Sequence, residues 1–137
     1  MKTAAPTGAP EPASTAARID AWFHTTRFFT TCATLDQLPD GGVPEIAFVG
    51  RSNAGKSTCL NTLAQQRQLA FASKRPGRTQ HINLFAVGKQ GATDAYLADL
   101  PGYGYAAVGL ADKRRWQQVM ANYLVSRQAL RGVVCLV

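Results

Sequence analysis

At 137 residues, 46% of them apolar, the chain is long enough for one domain with a modest core. No apolar run approaches the roughly 20 residues that cross a bilayer, and the N-terminus lacks the apolar segment of a secretory signal, so neither a membrane partner nor export is expected. The formal net charge of +7 is segregated: residues 1–58 carry five Lys/Arg against five Asp/Glu, and residues 59–137 carry ten against three. A basic half of this kind suits a polyanionic partner, RNA or nucleotide phosphate, although no aromatic-rich RNA-reading motif accompanies it. Cys32, Cys59 and Cys135 are odd in number and have no metal-type spacing, which argues for reduced thiols in a cytoplasmic protein.

In chain order, residues 1–17 hold only Lys2 and Glu11 as charges and no Phe, Trp, Tyr, Leu, Ile or Val, so residues 1–18 are expected to be a disordered tail. Order is expected near Ile19. Trp22, Phe23, Phe28 and Phe29 are too concentrated to be left in water, and residues 28–33 have the character of a strand. A Pro-Asp-Gly-Gly loop at residues 39–42 leads to an apolar strand, Ile46 to Val49. Helical periodicity follows over residues 56–68, with Cys59, Leu60 and Leu63 on neighbouring turns. Residues 72–80 form a basic loop with a Pro-Gly turn. Two alternating runs, residues 82–87 and 96–100, then look like a hairpin. The longest helical pattern spans residues 111–130, with Trp116, Val119, Met120, Tyr123 and Leu124 on one face. Its first turns carry Lys113, Arg114 and Arg115, where a helix favours acids. Gly132 is expected to stop this helix before a last apolar strand over residues 133–137. There is no internal repeat.

Three motifs depend on one another. Gly50, Arg51, Ser52, Asn53, Ala54, Gly55, Lys56 and Ser57 satisfy G-x-x-x-x-G-K-[ST], with a strand in front and a helix behind. The glycines let the backbone fold round an anion, so that N–H groups and the positive helix end face phosphate. Lys56 would reach the β- and γ-phosphates and Ser57 would ligate Mg²⁺. Asp99, Leu100, Pro101 and Gly102 then have the D-x-x-G form, in which the carboxylate holds Mg²⁺ through water and the glycine N–H meets a terminal phosphate. Between them, the hydroxyl of Thr79 could complete the metal shell while a γ-phosphate is present. Order and spacing together point to a nucleotide switch; an ATP-using P-loop protein fits this spacing less well.

At these residues the chain resembles the EngB (YihA/YsxC) family of translation-factor-like GTPases. Residues 46–57, the Arg75-Pro-Gly-Arg-Thr-Gln loop and the Asp99-Leu-Pro-Gly-Tyr-Gly-Tyr-Ala run match the family's first three nucleotide motifs, and the last run is specific to that family. The resemblance covers roughly residues 28–137. It implies an α/β P-loop GTPase (G-domain) fold, a mostly parallel sheet flanked by helices, incomplete at the C-terminus, with residues 19–137 as a partial G domain. It implies GTP and GDP as ligands, a role in assembly of the large ribosomal subunit and in normal cell division, and an rRNA-facing basic surface; no DNA partner is expected. Residues 50–57 and Thr58 would hold the phosphates, with Ser57 and Thr79 as direct Mg²⁺ ligands. Gly77, Arg78, Thr79, Gln80 and His81 would form the first switch, and Asp99 to Gly102 the second. Asn53 stands where related GTPases ligate a monovalent cation, so K⁺ stimulation is expected. Tyr103 occupies the position where many GTPases place a water-orienting Gln, so intrinsic turnover should be slow.

The family's Asn/Thr-Lys-x-Asp guanine motif is absent from these residues. Asp112 is the only carboxylate after Asp99, and no Lys stands two residues before it. The expectation is a truncated or incomplete sequence whose last strand would be open to water and whose fold would be marginal alone. Two readings therefore stand open: a GTP-hydrolysing switch, or a phosphate- and Mg²⁺-binding fragment without base selection or turnover.

Overall fold

The computed structural model describes residues 11–50, 55–67, 69, 81–102 and 110–137. Arg51, Ser52, Asn53 and Ala54 of the phosphate loop lie outside them, as do Gly77, Arg78, Thr79 and Gln80 of the expected first switch, and Tyr103. Among the described residues, five strands form one sheet in the order β1-β3-β4-β2-β5. They are β1 (Arg27–Cys32), β2 (Glu45–Gly50), β3 (Ile82–Val87), β4 (Ala95–Asp99) and β5 (Leu130–Leu136). The helices are α1 (Glu11–Phe23), α2 (Lys56–Ala64) and α3 (Leu110–Ser126). The sheet is mixed: β2 runs parallel to both β4 and β5, while β3 is antiparallel to β4 and to β1.

Both faces of the central strands are apolar because both are covered. On one face Ala47, Ile82, Leu84, Ala86, Ala98 and Leu100 pack under Trp116 and Tyr123 of α3. On the other, Phe48, Phe85, Val87 and Leu97 pack under Leu60 and Leu63 of α2 and under Trp22 and Phe23 of α1. The expected hairpin is β3–β4, whose turn is tied to β1 by Arg27: its guanidinium donates to the carbonyls of Gly88 at 3.0 Å and Ala92 at 2.8 Å. None of the described helices is long and apolar enough to cross a membrane.

Several expectations are corrected. The chain is helical from Glu11, inside the stretch expected to be a tail. Pro12 falls in the first turn, where a missing N–H costs nothing, and the far end of the helix is anchored by Trp22, whose Nε1 donates to Asp94 Oδ2 at 2.8 Å. Phe28 and Phe29 are 54% and 48% exposed, because β1 is an edge strand with an irregularity between Phe28 and Thr30. Each retains one aromatic neighbour, Phe85 for Phe28 and Tyr96 for Phe29. α2 ends four residues early, at Ala64, where Gln65 turns left-handed at φ 53°. α3 ends at Ser126 instead of Leu130, and Gly132 lies inside β5, paired with Ile46. Leu130 joins the ladder opposite Glu45, so the sheet claims the residues that helical periodicity had assigned to the last turn. Leu124 is exposed, not part of the buried face.

The base of the sheet is closed by a buried polar cluster. Glu45, fully buried at the start of β2, accepts from Tyr123 Oη at 2.7 Å and from Arg127 Nε at 3.1 Å to each carboxylate oxygen. Arg127 Nη2 donates both to Glu45 and to the Pro39 carbonyl. Burial, and then the bond to Glu45, push the Tyr123 phenol far above its usual range; burial raises the nearby Cys32 thiol.

Candidate functional site

The opposite edge of the sheet is where the motifs converge. In the parallel pairing of β2 with β4, Phe48 lies opposite Asp99, and Leu100 N–H donates to the Phe48 carbonyl at 3.2 Å. The two strands therefore end side by side. β2 ends at Gly50, and α2 begins at Lys56 with Gly55 before it; β4 runs out into Leu100, Pro101 and Gly102. Because β3 is antiparallel to β4 and pairs Asn83 with Asp99, its beginning lies on this edge too, and His81 is placed just before it.

Gly55 takes φ 91°, a left-handed value costly for any residue with a Cβ, and its carbonyl accepts from Cys59 N–H at 2.8 Å as the first helical bond of α2. The requirement for glycine is conformational, since a Cβ there would meet nothing within 4 Å. α2 thus begins at Lys56 with its partially positive end at this edge.

Lys56 and Ser57 are buried, 9% and 4% exposed, and Asp99 is 1% exposed. A buried ammonium and a buried carboxylate are tolerated when paired, and here Lys56 Nζ donates to Asp99 Oδ1. Of the other site candidates, Thr58 is exposed, His81 and Gly102 are half-buried, and Pro101 is buried. The Leu100 side chain belongs to the core beneath α3 and offers the site only its backbone. The direct Lys56–Asp99 contact was not foreseen from the motifs, which assign each residue to a different ligand. Its signal is two opposite charges, one at the start of α2 and one at the end of β4, whose adjacency only the topology reveals.

The donor set can be tested against the groups that it suggests. Among the described residues no three of His, Cys, Asp or Glu converge as a metal cage. A buried carboxylate and a buried hydroxyl beside a helix N-terminus and a lysine instead fit an anion that shares its oxygens with Mg²⁺, an ion that favours few protein ligands. The geometry can thus accept phosphate and a hard cation together.

Residues 45–137 match the family described as 50S ribosome-binding GTPase. A protein of Acidovorax ebreus named "Probable GTP-binding protein EngB" is 76% identical over 115 residues, which are 84% of this chain and 53% of the relative. Proteins of the same name from Albidiferax ferrireducens and Paraburkholderia phytofirmans are 71% and 56% identical, over 84% and 82% of this chain and 56% and 52% of their own lengths. The chain spans about half the length of these curated relatives. With the family matched across most of the chain, from the first phosphate-loop strand onward, the chain belongs to the 50S ribosome-binding GTPase family, in its EngB branch.

Proposed function

We propose that the chain binds the phosphates of GTP and GDP together with Mg²⁺ and serves as a nucleotide switch in assembly of the large ribosomal subunit, on which normal cell division depends. The observation that carries this reading is the meeting of Lys56 and Asp99 at the adjoining ends of β2 and β4, with Ser57 next in α2. In it, the backbone of residues 50–55 and the start of α2 would cradle the phosphates, Lys56 would neutralise them, and Ser57 and Thr79 would hold the cation. Asp99 would support the cation, and the Gly102 N–H would be available to phosphate. When bound, Mg²⁺ neutralises phosphate charge. Hydrolysis to GDP and phosphate proceeds by in-line attack of water, slowly, because the Tyr103 ring cannot orient water as an amide does. Asn53 would hold K⁺, whose charge would favour the step.

The basic half supports an rRNA-facing role. Arg114 and Arg115 are exposed at the start of α3, and the Arg115 guanidinium lies 4.9 Å from the Trp116 ring centre. Positive charge at a helix N-terminus opposes the dipole, which favours an external anion as its counterpart. A cytoplasmic location is supported by Cys32, Cys59 and Cys135 as free thiols. The second reading, phosphate and Mg²⁺ binding without base selection or turnover, is kept by a described site that contains phosphate chemistry alone.

Titration of the chain with fluorescent GDP in Mg²⁺, competed with GTP and with ATP, tests the proposal, with Lys56→Ala as control. Displacement by GTP and not ATP, lost in Lys56→Ala, together with phosphate release faster in K⁺ than in Na⁺, is expected. Base-blind binding without release supports the second reading, and no binding removes both.

A further inference from the structure

We propose that Asn83, which lies outside the three motifs, is a positioning residue for Asp99: its carboxamide steadies the carboxylate from the β3 side and so sets how tightly the site holds Mg²⁺. The inference rests on the phosphate and Mg²⁺ reading above. Register brings the two side chains together. Asn83 stands directly opposite Asp99 in the antiparallel β3–β4 pair, and Thr31 stands opposite Asn83 in the β1–β3 pair. Directly opposed residues share a face, with Cβ atoms about 5 Å apart, which puts a carboxamide within reach of a carboxylate. The face is the one that α2 covers, because Phe85 lies two residues after Asn83 and Leu97 two before Asp99, in one cluster with Leu60. Lys56, at the start of α2, meets the same carboxylate. Asn83 and Lys56 thus flank Asp99 from two different elements.

The make-up of β3 points the same way. Every other residue of the strand is apolar and buried, whereas Asn83 is polar and half-buried. A strand covered on both faces calls for an apolar side chain there, and asparagine is a poor strand former. Burial is graded along the row, from exposed Thr31 through half-buried Asn83 to buried Asp99. What a carboxamide adds at that place is a pair of N–H donors for a carboxylate and a carbonyl acceptor for metal-bound water. A carboxylate that supports a cation depends on such outer partners for its orientation, and losing one costs about 10–100-fold in metal affinity. Asn83 therefore gives up strand stability for a firmer hold on the cation.

The test measures the affinity of fluorescent GDP for the full chain in Mg²⁺ and in EDTA, so that the ratio gives the gain due to the cation. Asn83→Leu, similar in size and apolar, should lose about tenfold of that gain with its affinity in EDTA unchanged. Asn83→Thr, a strand former that keeps a hydroxyl, should regain most of it. In ligand-free buffer Asn83→Leu should melt at the same temperature as the unaltered chain or higher. An undiminished gain in Asn83→Leu, or an equal loss in Mg²⁺ and EDTA, would overturn the proposal and leave the phosphate reading standing. So would an Asn83→Thr no better than Asn83→Leu. An Asn83→Leu chain that melts lower or does not fold would make Asn83 a structural residue, which also overturns the proposal. Binding of GDP by the unaltered chain equally in Mg²⁺ and EDTA would remove the cation from both readings, and no binding at all would overturn both.

Discussion

Glu45 shows how much one side chain can hold in place. It is the first residue of the phosphate-loop strand, in a buried position that would suit an apolar residue, yet it carries a carboxylate that accepts from Tyr123 and Arg127. Through Arg127 the cluster also reaches the Pro39 carbonyl at 2.7 Å, so β2, the end of α3 and the loop before β2 are fastened at one point. Arg127→Met would leave the carboxylate buried and uncompensated, and we expect a loss of about 3–5 kcal/mol, read as a lower denaturant midpoint. The neighbouring acids set an alkaline limit. Cys32 and Tyr123 are both held protonated in the folded chain, by burial foremost, above ordinary values of 9.0 and 10.0. The unfolded chain sheds these protons first, so it binds fewer protons than the folded one and stability falls as pH rises. The contribution is complete below about pH 9 and is lost above it. Melting should therefore decline from about pH 9 upward, and Cys32→Ala should flatten the first part of that decline.

At the scale of elements, the β3–β4 hairpin carries Asp99 to the candidate site, and a glycine in its turn has no room for a side chain. Gly88 has φ 157°, and a Cβ built there would lie 2.2 Å from the Ala92 carbonyl oxygen. That oxygen also accepts from Arg27, so it cannot move aside without breaking the tie to β1. Gly88→Ala should cost about 1–3 kcal/mol in chemical denaturation, whereas Gly41→Ala, where a Cβ meets nothing within 4 Å, should be nearly neutral. The hairpin itself was legible from alternation, as were β2 and the start of α2, because residues buried on both faces leave an apolar pattern that the sequence displays directly. α1 was not legible: an Ala-, Ser- and Thr-rich stretch gains its helix from the anchorage of Trp22 and Phe23 on the sheet, a tertiary effect. The end of α3 was misplaced for a related reason, since parallel pairing of Leu130 with Glu45 overrides helical spacing. At the site, the glycines, Lys56, Ser57 and Asp99 could be read one by one, while the Lys56–Asp99 contact required the strand order.

For the whole molecule, the two edges of the sheet differ in a way that bears on its stability. β1 closes one edge with an irregular, Thr-rich strand whose exposed rings lean on Phe85 and Tyr96. β5 lines the other with Val133 at 47% and Val134 at 36% exposure, pointing to opposite faces. A largely apolar strand paired along one side is a template for association, although the register of β5 is interrupted once, at Arg131. The matched residues make up only 53% and 56% of the lengths of two of the relatives. Appending the C-terminal portion of the 76% identical relative should cover both faces of β5, raise the melting temperature markedly and reduce association seen by light scattering. The alternative remedy, Val133→Lys with Val134→Thr, should reduce association without the gain in melting temperature, because charge discourages edge pairing but buries nothing. If the extended chain melts where the present one does, β5 gains nothing from cover, and the five strands suffice as a domain.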